Sequence, residues 1–401
     1  MRLTNFLLCL ALFSLWSCNA PTEKTTAEMP ANKEIAVMAY YVANETFPPD
    51  QLPLDKLTHI IYSFSKVIDG EMAFANARHD SLLRVLVAQR EQHPNLKVMI
   101  ACGGWGADGF SDAASTVGTR DTFIRSTIDF LERYQLDGLD MDWEYPAIPA
   151  AGTGARPEDK QNFTLLMKGL REAMDTLDRP QTLTFASAGW ERYYYNVETL
   201  EVMKYADYMN IMTYDQVGGS STVTGHHTPL GYIEEADLEG LPVLDTIAKY
   251  RAEMEARGQK WAPRSAQRIV AYVKGLGVDP SQLVIGGAFY GRAWKGVTPA
   301  NNGLYQPNQG VHTGWLGYRA IRADYENKNG FVRHWDTVAL APYLFNPQDS
   351  IFISYDDPES VALKAEYAKE AGLGGMMFWQ LSNDSRDAGG LLDAIWAAAK
   401  E

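Results

Sequence analysis

The feature that most constrains the fold is a series of eight short apolar segments separated by longer amphipathic ones. The apolar segments have the length and the content of branched and aromatic residues that are typical of buried strands. They are residues 35–42, 59–65, 97–104, 138–144, 183–189, 208–214, 283–290 and 374–381. Apolar residues at helical spacing lie between most of them, as in 80–92, 120–135 and 158–177, and 388–400 follows the last strand. Eight βα units in series predict an α/β fold, a (β/α)8 TIM barrel, with a doubly wound parallel sheet as the open alternative.

Two longer segments interrupt this alternation. Residues 216–240, after the sixth strand, are rich in Gly, Thr and His and predict a long loop. Residues 293–357, after the seventh strand, contain short β-like pieces and no long helix. We therefore predict a small α+β insertion domain between strand 7 and helix 7, with the barrel formed by 35–292 and 358–401. Insertions after the carboxyl ends of barrel strands usually shape the active site.

The N-terminal residues 1–18 have the pattern of an export signal. Arg2 precedes an apolar run over residues 6–16, which is too short to span a bilayer. The run ends in Leu-Trp-Ser-Cys, which resembles the cleavage box of bacterial lipoproteins and implies lipidation at Cys18. Residues 19–34 are polar and predict a flexible tether. The expected location is the cell envelope, with a lipid anchor in the outer membrane, periplasm or cell surface, and ordinary secretion is the alternative.

Charge and cysteine content exclude several partners and cofactors. Lys and Arg number 36 against 50 Asp and Glu, a net charge of −14 that disfavours nucleic acid and leaves the N-terminal lipid as the expected membrane contact. Only Cys102 of the three cysteines lies outside the N-terminal segment, so neither a disulfide framework nor a cysteine zinc site is expected there. His226 and His227 are adjacent and point in different directions, which favours a loop or cleft-edge role. We expect a monomer without metal or cofactor.

The segment 137–144, with the sequence DGLDMDWE, is the most informative for function. In a strand alternate side chains share a face, so Asp140, Asp142 and Glu144 lie on one face, and Leu, Met and Trp lie on the other. The apolar face packs under the helices, so the carboxylates point into the barrel. Crowding and burial both disfavour charge, so at least one acid is expected to keep a proton near neutral pH, as a general acid must. Glu144 is last, at the end where barrel active sites open.

Two other interpretations of these acids stay open. A calcium loop also spaces acids two residues apart, but it uses polar residues or Gly between them, where this segment has apolar ones. A purely structural acidic core leaves buried charges without partners, which is energetically costly. Catalysis is the favoured interpretation.

The same segment resembles the Asp-x-x-Asp-x-Asp-x-Glu signature of the chitinases of glycoside hydrolase family 18. Four further segments are similar to family motifs, and they are KVMIACGGW (97–105), MTYD (212–215), GGAFYGRAW (286–294) and GGMMFWQLSND (374–384). The resemblance extends from about residue 35 to the C-terminus. One position departs from it, because Ala101 stands where the third-strand motif usually has a Ser whose hydroxyl helps hold the inner aspartate.

The resemblance implies a chitinase that cleaves β-1,4 bonds between N-acetylglucosamine units by a retaining, substrate-assisted mechanism. Glu144 is then the general acid and base, and Asp142 stabilises the acetamido group as its carbonyl attacks the anomeric carbon. Asp140 shares a proton with Asp142, Asp137 completes the catalytic acids, and Tyr214 orients the acetamido oxygen.

Further residues are predicted to bind the sugar chain, with core packing or ion pairing as the alternative for each. They are Trp379, Asp215, Met212, Tyr145, Trp105, Arg292, Tyr290, Tyr40 and Phe64. Segment 293–357 resembles the insertion domain that walls one side of the family's cleft. The expected partner is chitin or another oligosaccharide containing N-acetylglucosamine. An endo-β-N-acetylglucosaminidase, a peptidoglycan-directed hydrolase and a non-catalytic glycan-binding lipoprotein remain as alternatives.

Overall fold

The computed structural model describes residues 34–43, 47–258 and 261–400. The predicted signal segment 1–18, with its Cys18, and the tether 19–34 apart from Glu34 lie outside the described residues. Within the described ranges, no helix has both the length and the apolar character that a membrane crossing requires.

The described ranges contain fourteen β-strands, numbered here in chain order. They are β1 (Ala36–Val42), β2 (His59–Ile68), β3 (Glu71–Ala73), β4 (Lys97–Gly103), β5 (Gly138–Asp142), β6 (Thr182–Ala188), β7 (Tyr208–Met212), β8 (Leu283–Ala288), β9 (Tyr290–Trp294), β10 (Val311–Gly317), β11 (Val332–Asp336), β12 (Ala341–Asn346), β13 (Ile351–Ser354) and β14 (Gly375–Trp379). The helices are α1 (Arg78–Ala88), α2 (Phe110–Ala114), α3 (Val117–Tyr134), α4 (Asp159–Met174), α5 (Thr199–Val202), α6 (Pro242–Glu255), α7 (Ala266–Gly275), α8 (Tyr318–Ala320), α9 (Pro358–Glu370) and α10 (Leu391–Lys400).

Eight of the strands form a closed parallel barrel. Their order is β1-β14-β8-β7-β6-β5-β4-β2, and β2 pairs in turn with β1, which closes the ring. Closure leaves no free edge, so the (β/α)8 prediction is confirmed and the doubly wound sheet is excluded. The short β3 forms an antiparallel extension of β2 outside the ring.

A second, five-stranded antiparallel sheet lies in the chain between β8 and α9, in the order β10-β9-β13-β12-β11. Its first strand starts at Tyr290, so the predicted seventh strand 283–290 is divided: one residue, Phe289, separates β8 from β9. The small second domain therefore exists, and its sheet begins three residues before the predicted boundary at 293. Continuous apolar sequence conceals this change of sheet, because both strands are buried.

The core has two shells that follow the two-residue period of the strands. Along β5, Leu139 and Met141 pack outward among the side chains under the helices, while Asp140 and Asp142 point inward. The outer shell is stabilised by helices with defined starts. In α9, for example, the Asp357 side chain accepts the backbone N–H of Ser360, and Pro358 occupies the first turn. The inward direction of the acidic face is confirmed.

Candidate active site

A cavity of about 870 Å³ opens at the carboxyl ends of the barrel strands. It is lined by twelve of the fourteen residues that the sequence predicted as catalytic or substrate-binding. These are Tyr40, Phe64, Trp105, Asp142, Glu144, Tyr145, Met212, Tyr214, Asp215, Tyr290, Arg292 and Trp379. They come from seven strands or the loops that follow them, so closure of the barrel is what brings them together.

Asp140 lies beneath the cavity and is fully buried. Its Oδ1 accepts hydrogen bonds from the Thr184 hydroxyl at 2.6 Å and the Asn210 amide at 3.0 Å, and its Oδ2 accepts the Tyr40 hydroxyl at 2.9 Å. Burial raises the pKa of Asp140, and these three donors oppose the rise. Ala101 lies directly opposite Asp140 in the register of β4 and β5 and has no hydroxyl to donate. The three donors come instead from β1, β6 and β7.

Asp142 and Glu144 form a buried pair of acids above Asp140. Burial raises the pKa of Asp142 well above its usual range, and the charges of Glu144 and Asp140 add to this, while Lys66 opposes it. Its Oδ1 accepts no hydrogen bond from any donor in the described residues. Burial also raises the pKa of Glu144 to about 7, against a hydrogen bond from Tyr145. The outermost acid therefore carries a proton in much of the population at neutral pH, as a general acid requires.

Tyr214 lines the cavity just after β7, two strands away from the acids of β5. Its hydroxyl approaches the sulfur of Met377 at 3.8 Å, and its ring contacts the edge of Tyr290 at a centroid distance of 6.1 Å. Burial, with the charges of Asp142 and Glu144, raises the pKa of Tyr214 well above 10. The phenol therefore keeps its proton and is able to donate a hydrogen bond to a ligand in the cavity in place of the weak one to Met377.

Trp379 supplies an aromatic surface at the end of β14. Its ring stacks on Phe64 with centroids 5.5 Å apart and planes 24° apart, and it contacts Tyr40 at 5.9 Å. These neighbours fix the indole, because stacked rings allow few alternative rotamers. A held indole face suits the apolar face of a pyranose ring.

Asp215 and Arg292 form an ion pair at the cavity wall, with Nη2 2.7 Å from Oδ1. Burial alone raises the pKa of Asp215, but His227 and Arg292 outweigh it and lower the pKa to about 2. Asp215 is therefore ionised throughout the physiological range, and it accepts donors from a ligand without first losing a proton.

The remaining predicted residues lie at the cavity rim. Trp105 follows β4 and is 66% exposed, so its ring is available as a platform at the entrance. Tyr145 is held edge-on against Trp190 and Tyr193 at 5.4 and 5.7 Å. Both positions extend the apolar surface of the cavity beyond the acids.

Asp137 is a correction to the predicted catalytic set. Its carboxylate accepts the Val98 backbone N–H at 2.8 Å and pairs with Arg90 at 2.9 Å and with Arg179 at 3.4 Å. It precedes β5 at the amino end of the strand, whereas the cavity opens at the carboxyl end. Asp137 therefore stabilises the start of the strand and does not reach the reacting groups.

Sequence reasoning also missed residues that the cavity uses. Lys66, near the carboxyl end of β2, lines the cavity with its ammonium 5.0 Å from the Phe64 ring. Trp190 and Arg192 line the cavity from the loop after β6. Thr184 and Asn210 hold Asp140 from below. A signal existed for Asn210, which is the only amide in an otherwise apolar and aromatic strand, whereas Thr184 shares β6 with Thr182 and Ser187 and does not stand out. For the loop residues no local pattern indicated the cavity.

A parallel barrel with crowded, partly protonated carboxylates and an aromatic surface at its carboxyl end defines the class as a barrel glycoside hydrolase. Residues 36–384 match the family described as glycosyl hydrolases family 18, and the chain belongs to this family.

Named relatives and solved structures agree with this membership. The chain is 40% identical to Chitinase A1 of Niallia circulans over 307 residues, which cover 74% of this chain and 42% of that protein. It is 31% identical to Chitinase B of Serratia marcescens over 391 residues, which cover 85% of this chain and 75% of that protein. It superposes on the family 18 N-acetylglucosaminidase from Paenibacillus barengoltzii with a TM-score of 0.78 and 36% identity, over 91% of this chain and 99% of that one. The chain thus spans about two fifths of the first relative's length.

Proposed function

We propose that the protein is a chitinase, which hydrolyses β-1,4 bonds between N-acetylglucosamine units with retention of configuration. The observation that carries this proposal is the buried acid pair, in which Glu144 has a pKa of about 7 beside an Asp142 oxygen without a donor in the described residues. Similarity to Chitinase A1 and Chitinase B supports chitin as the substrate.

In the first step Glu144 gives its proton to the glycosidic oxygen. The carbonyl oxygen of the substrate's own 2-acetamido group attacks the anomeric carbon, and an oxazolinium intermediate forms as the aglycone leaves. An intramolecular nucleophile that is held in place removes much of the entropic barrier. Asp142 accepts the acetamido N–H through its Oδ1, and the Tyr214 hydroxyl donates to the acetamido oxygen, so charge is stabilised where it develops.

In the second step Glu144 acts as the base. It takes a proton from water as the water attacks the anomeric carbon and the oxazolinium ring opens, which restores the acetamido group and the configuration. Asp140 shares a proton with Asp142 through the cycle. Its three hydrogen-bond donors fix the position of the Asp140 carboxylate.

The cavity is large enough for several sugar units, and its aromatic surfaces suit a neutral polymer. One alternative has a specific observation in its favour, because the N-acetylglucosaminidase from Paenibacillus barengoltzii is matched over 99% of its chain. An exo-acting enzyme that releases single N-acetylglucosamine units is therefore the second candidate. Cleavage of N-glycan cores or of peptidoglycan remains the more distant possibility for the same acetamido chemistry.

A product time course on chitin oligomers of four to six units tests these candidates. Dimers and trimers as early products support the chitinase, while monomer from the first time point supports the N-acetylglucosaminidase. Release only from N-glycopeptides or peptidoglycan would overturn both, and no release from any substrate would mean that the protein binds glycans without turnover.

We further propose that the protein is a monomer anchored in the cell envelope by lipid on Cys18. The lipoprotein-like cleavage box and the polar tether support this placement. Expressed with labelled fatty acid in a bacterial host, the wild type is expected to carry label and to sediment with membranes, and Cys18→Ser is expected to do neither. Equal membrane binding by Cys18→Ser would contradict the lipid anchor and leave ordinary secretion or another attachment.

A further inference from the structure

His227 is a buried residue that the proposed reaction does not use. It lies in the loop after β7, and its ring packs against Tyr290 with centroids 5.1 Å apart. Its backbone N–H donates to the Ser354 hydroxyl at 2.9 Å, and its carbonyl accepts the N–H of Gln216 at 3.0 Å. The residue that follows Asp215 is thus hydrogen-bonded to His227, and the ring has little freedom to move.

The hydrogen bond at Nε2 determines which ring nitrogen of the neutral His227 is protonated. Nε2 lies 3.1 Å from the backbone carbonyl oxygen of Tyr290. A carbonyl only accepts, so Nε2 must be the protonated nitrogen. In the neutral ring Nδ1 therefore presents a lone pair, and it lies 3.7 Å from Oδ1 of Asp215. That contact is repulsive when the ring is neutral and attractive when Nδ1 gains a proton.

The charges around the His227 ring determine how readily Nδ1 is protonated. Burial lowers the pKa of His227 below 6.5, the charge of Asp215 opposes this, and Arg292 adds to the lowering. Asp356 also favours the protonated ring, but its charge is compensated by the fully buried Lys364 at 2.6 Å. Asp215 is the one carboxylate among these neighbours that the ring contacts.

We propose that His227 is a positioning residue for Asp215, and that it binds the Asp215 carboxylate more strongly when Nδ1 is protonated. Arg292 binds the same oxygen, Oδ1, through Nε at 2.8 Å and Nη2 at 2.7 Å. Protonated His227 adds a donor from a second basic side chain, beside Arg292 and the Tyr290 hydroxyl that also hydrogen-bonds Asp215. The consequence for binding rests on the proposed function and on the contact with the sugar chain that the sequence predicts for Asp215.

Histidine ¹⁵N chemical shifts test the geometry without any activity. At pH 7.5 we expect Nε2 of His227, assigned by the signals lost in His227→Gln, to be protonated and Nδ1 to be bare. Acidification should protonate Nδ1, and Asp215→Asn should lower the midpoint by about one pH unit, because the attracting charge is gone. A protonated Nδ1 at pH 7.5, or a midpoint that Asp215→Asn leaves in place, would overturn the proposal.

Kinetics test the consequence. His227→Gln keeps an amide that reaches the Tyr290 carbonyl but has no titrating group. Its KM for chitin oligomers is expected to equal that of the wild type at pH 8 and to exceed it about 3- to 10-fold at pH 5, with kcat within about 3-fold throughout. His226→Asn is the matched control, because His226 is the adjacent buried histidine but its Nε2 pairs with Asp336 at 3.0 Å and not with Asp215. A KM ratio for His227→Gln that does not change with pH would indicate a merely structural role and overturn the proposal. Failure of the wild type to cleave any oligomer would instead overturn the proposed function, and the ¹⁵N result would stand.

Discussion

Replacement of Glu144 by Gln is the sharpest test of the proposed chemistry, and the environment of Glu144 indicates how large the loss of kcat should be. With its ordinary pKa of 4.5, Glu144 would hold a proton in only about 0.3% of molecules at pH 7, whereas at about 7 roughly half of them hold it. Burial, with the charge of Asp215, therefore raises the protonated fraction by roughly 10²-fold. The amide has no proton to transfer in the first step and cannot act as base in the second. Since one general acid contributes about 10²- to 10⁴-fold, we expect kcat to fall by at least about 10³-fold.

The assay is the release of reducing ends from chitin oligomers, with binding followed separately by calorimetry. Gln has the shape of Glu, so the dissociation constant of Glu144→Gln is expected to stay within about 5-fold of the wild type. Glu191→Gln is the control, because Glu191 is a half-buried acid between Trp190 and Arg192, does not itself line the cavity, and its loss should change kcat less than about 3-fold. More than a tenth of wild-type kcat in Glu144→Gln would refute the assignment, since another group would then have to donate the proton.

The same acid predicts the pH dependence of the wild type. The protonated form is the active one and the folded-state pKa is raised, so kcat/KM should fall as the pH rises through about 7. Activity that stayed constant up to pH 9 would contradict an acid in this environment.

Two further variants address the acetamido site and the fold. Tyr214→Phe removes the donor to the acetamido oxygen, and we expect kcat to fall about 10²-fold with a smaller change in KM; an unchanged kcat would show that the hydroxyl has no part in the reaction. Lys364→Met leaves the buried Asp356 without its cation, and urea unfolding should show a loss of about 3–5 kcal/mol, whereas Lys204→Met, which breaks an exposed pair with Glu201, should cost less than about 1 kcal/mol. Equal losses in the two lysine variants would contradict a dominant contribution from the buried pair.

The sequence by itself determined the eight βα units and the direction of the acids, while the choice between a barrel and a doubly wound sheet waited for the pairing of β1 with β2. Strand period is a local property, so the alternation of acids with Leu139, Met141 and Trp143 was enough to place Asp140 and Asp142 inside. The succession of eight strands along the chain was equally local, because each unit carries its own apolar pattern and parallel neighbours need a crossover.

Only the tertiary structure decided which residues surround those acids. Asp137 belongs to the same eight-residue signature, yet it lies at the closed end of the strand with Arg90, and its ion pair was invisible to the pattern. Lys66 and His227 reach the site from segments remote in sequence. Their contacts depend on how the barrel closes and on where the second sheet meets it, and neither is encoded in the periodicity of a single strand.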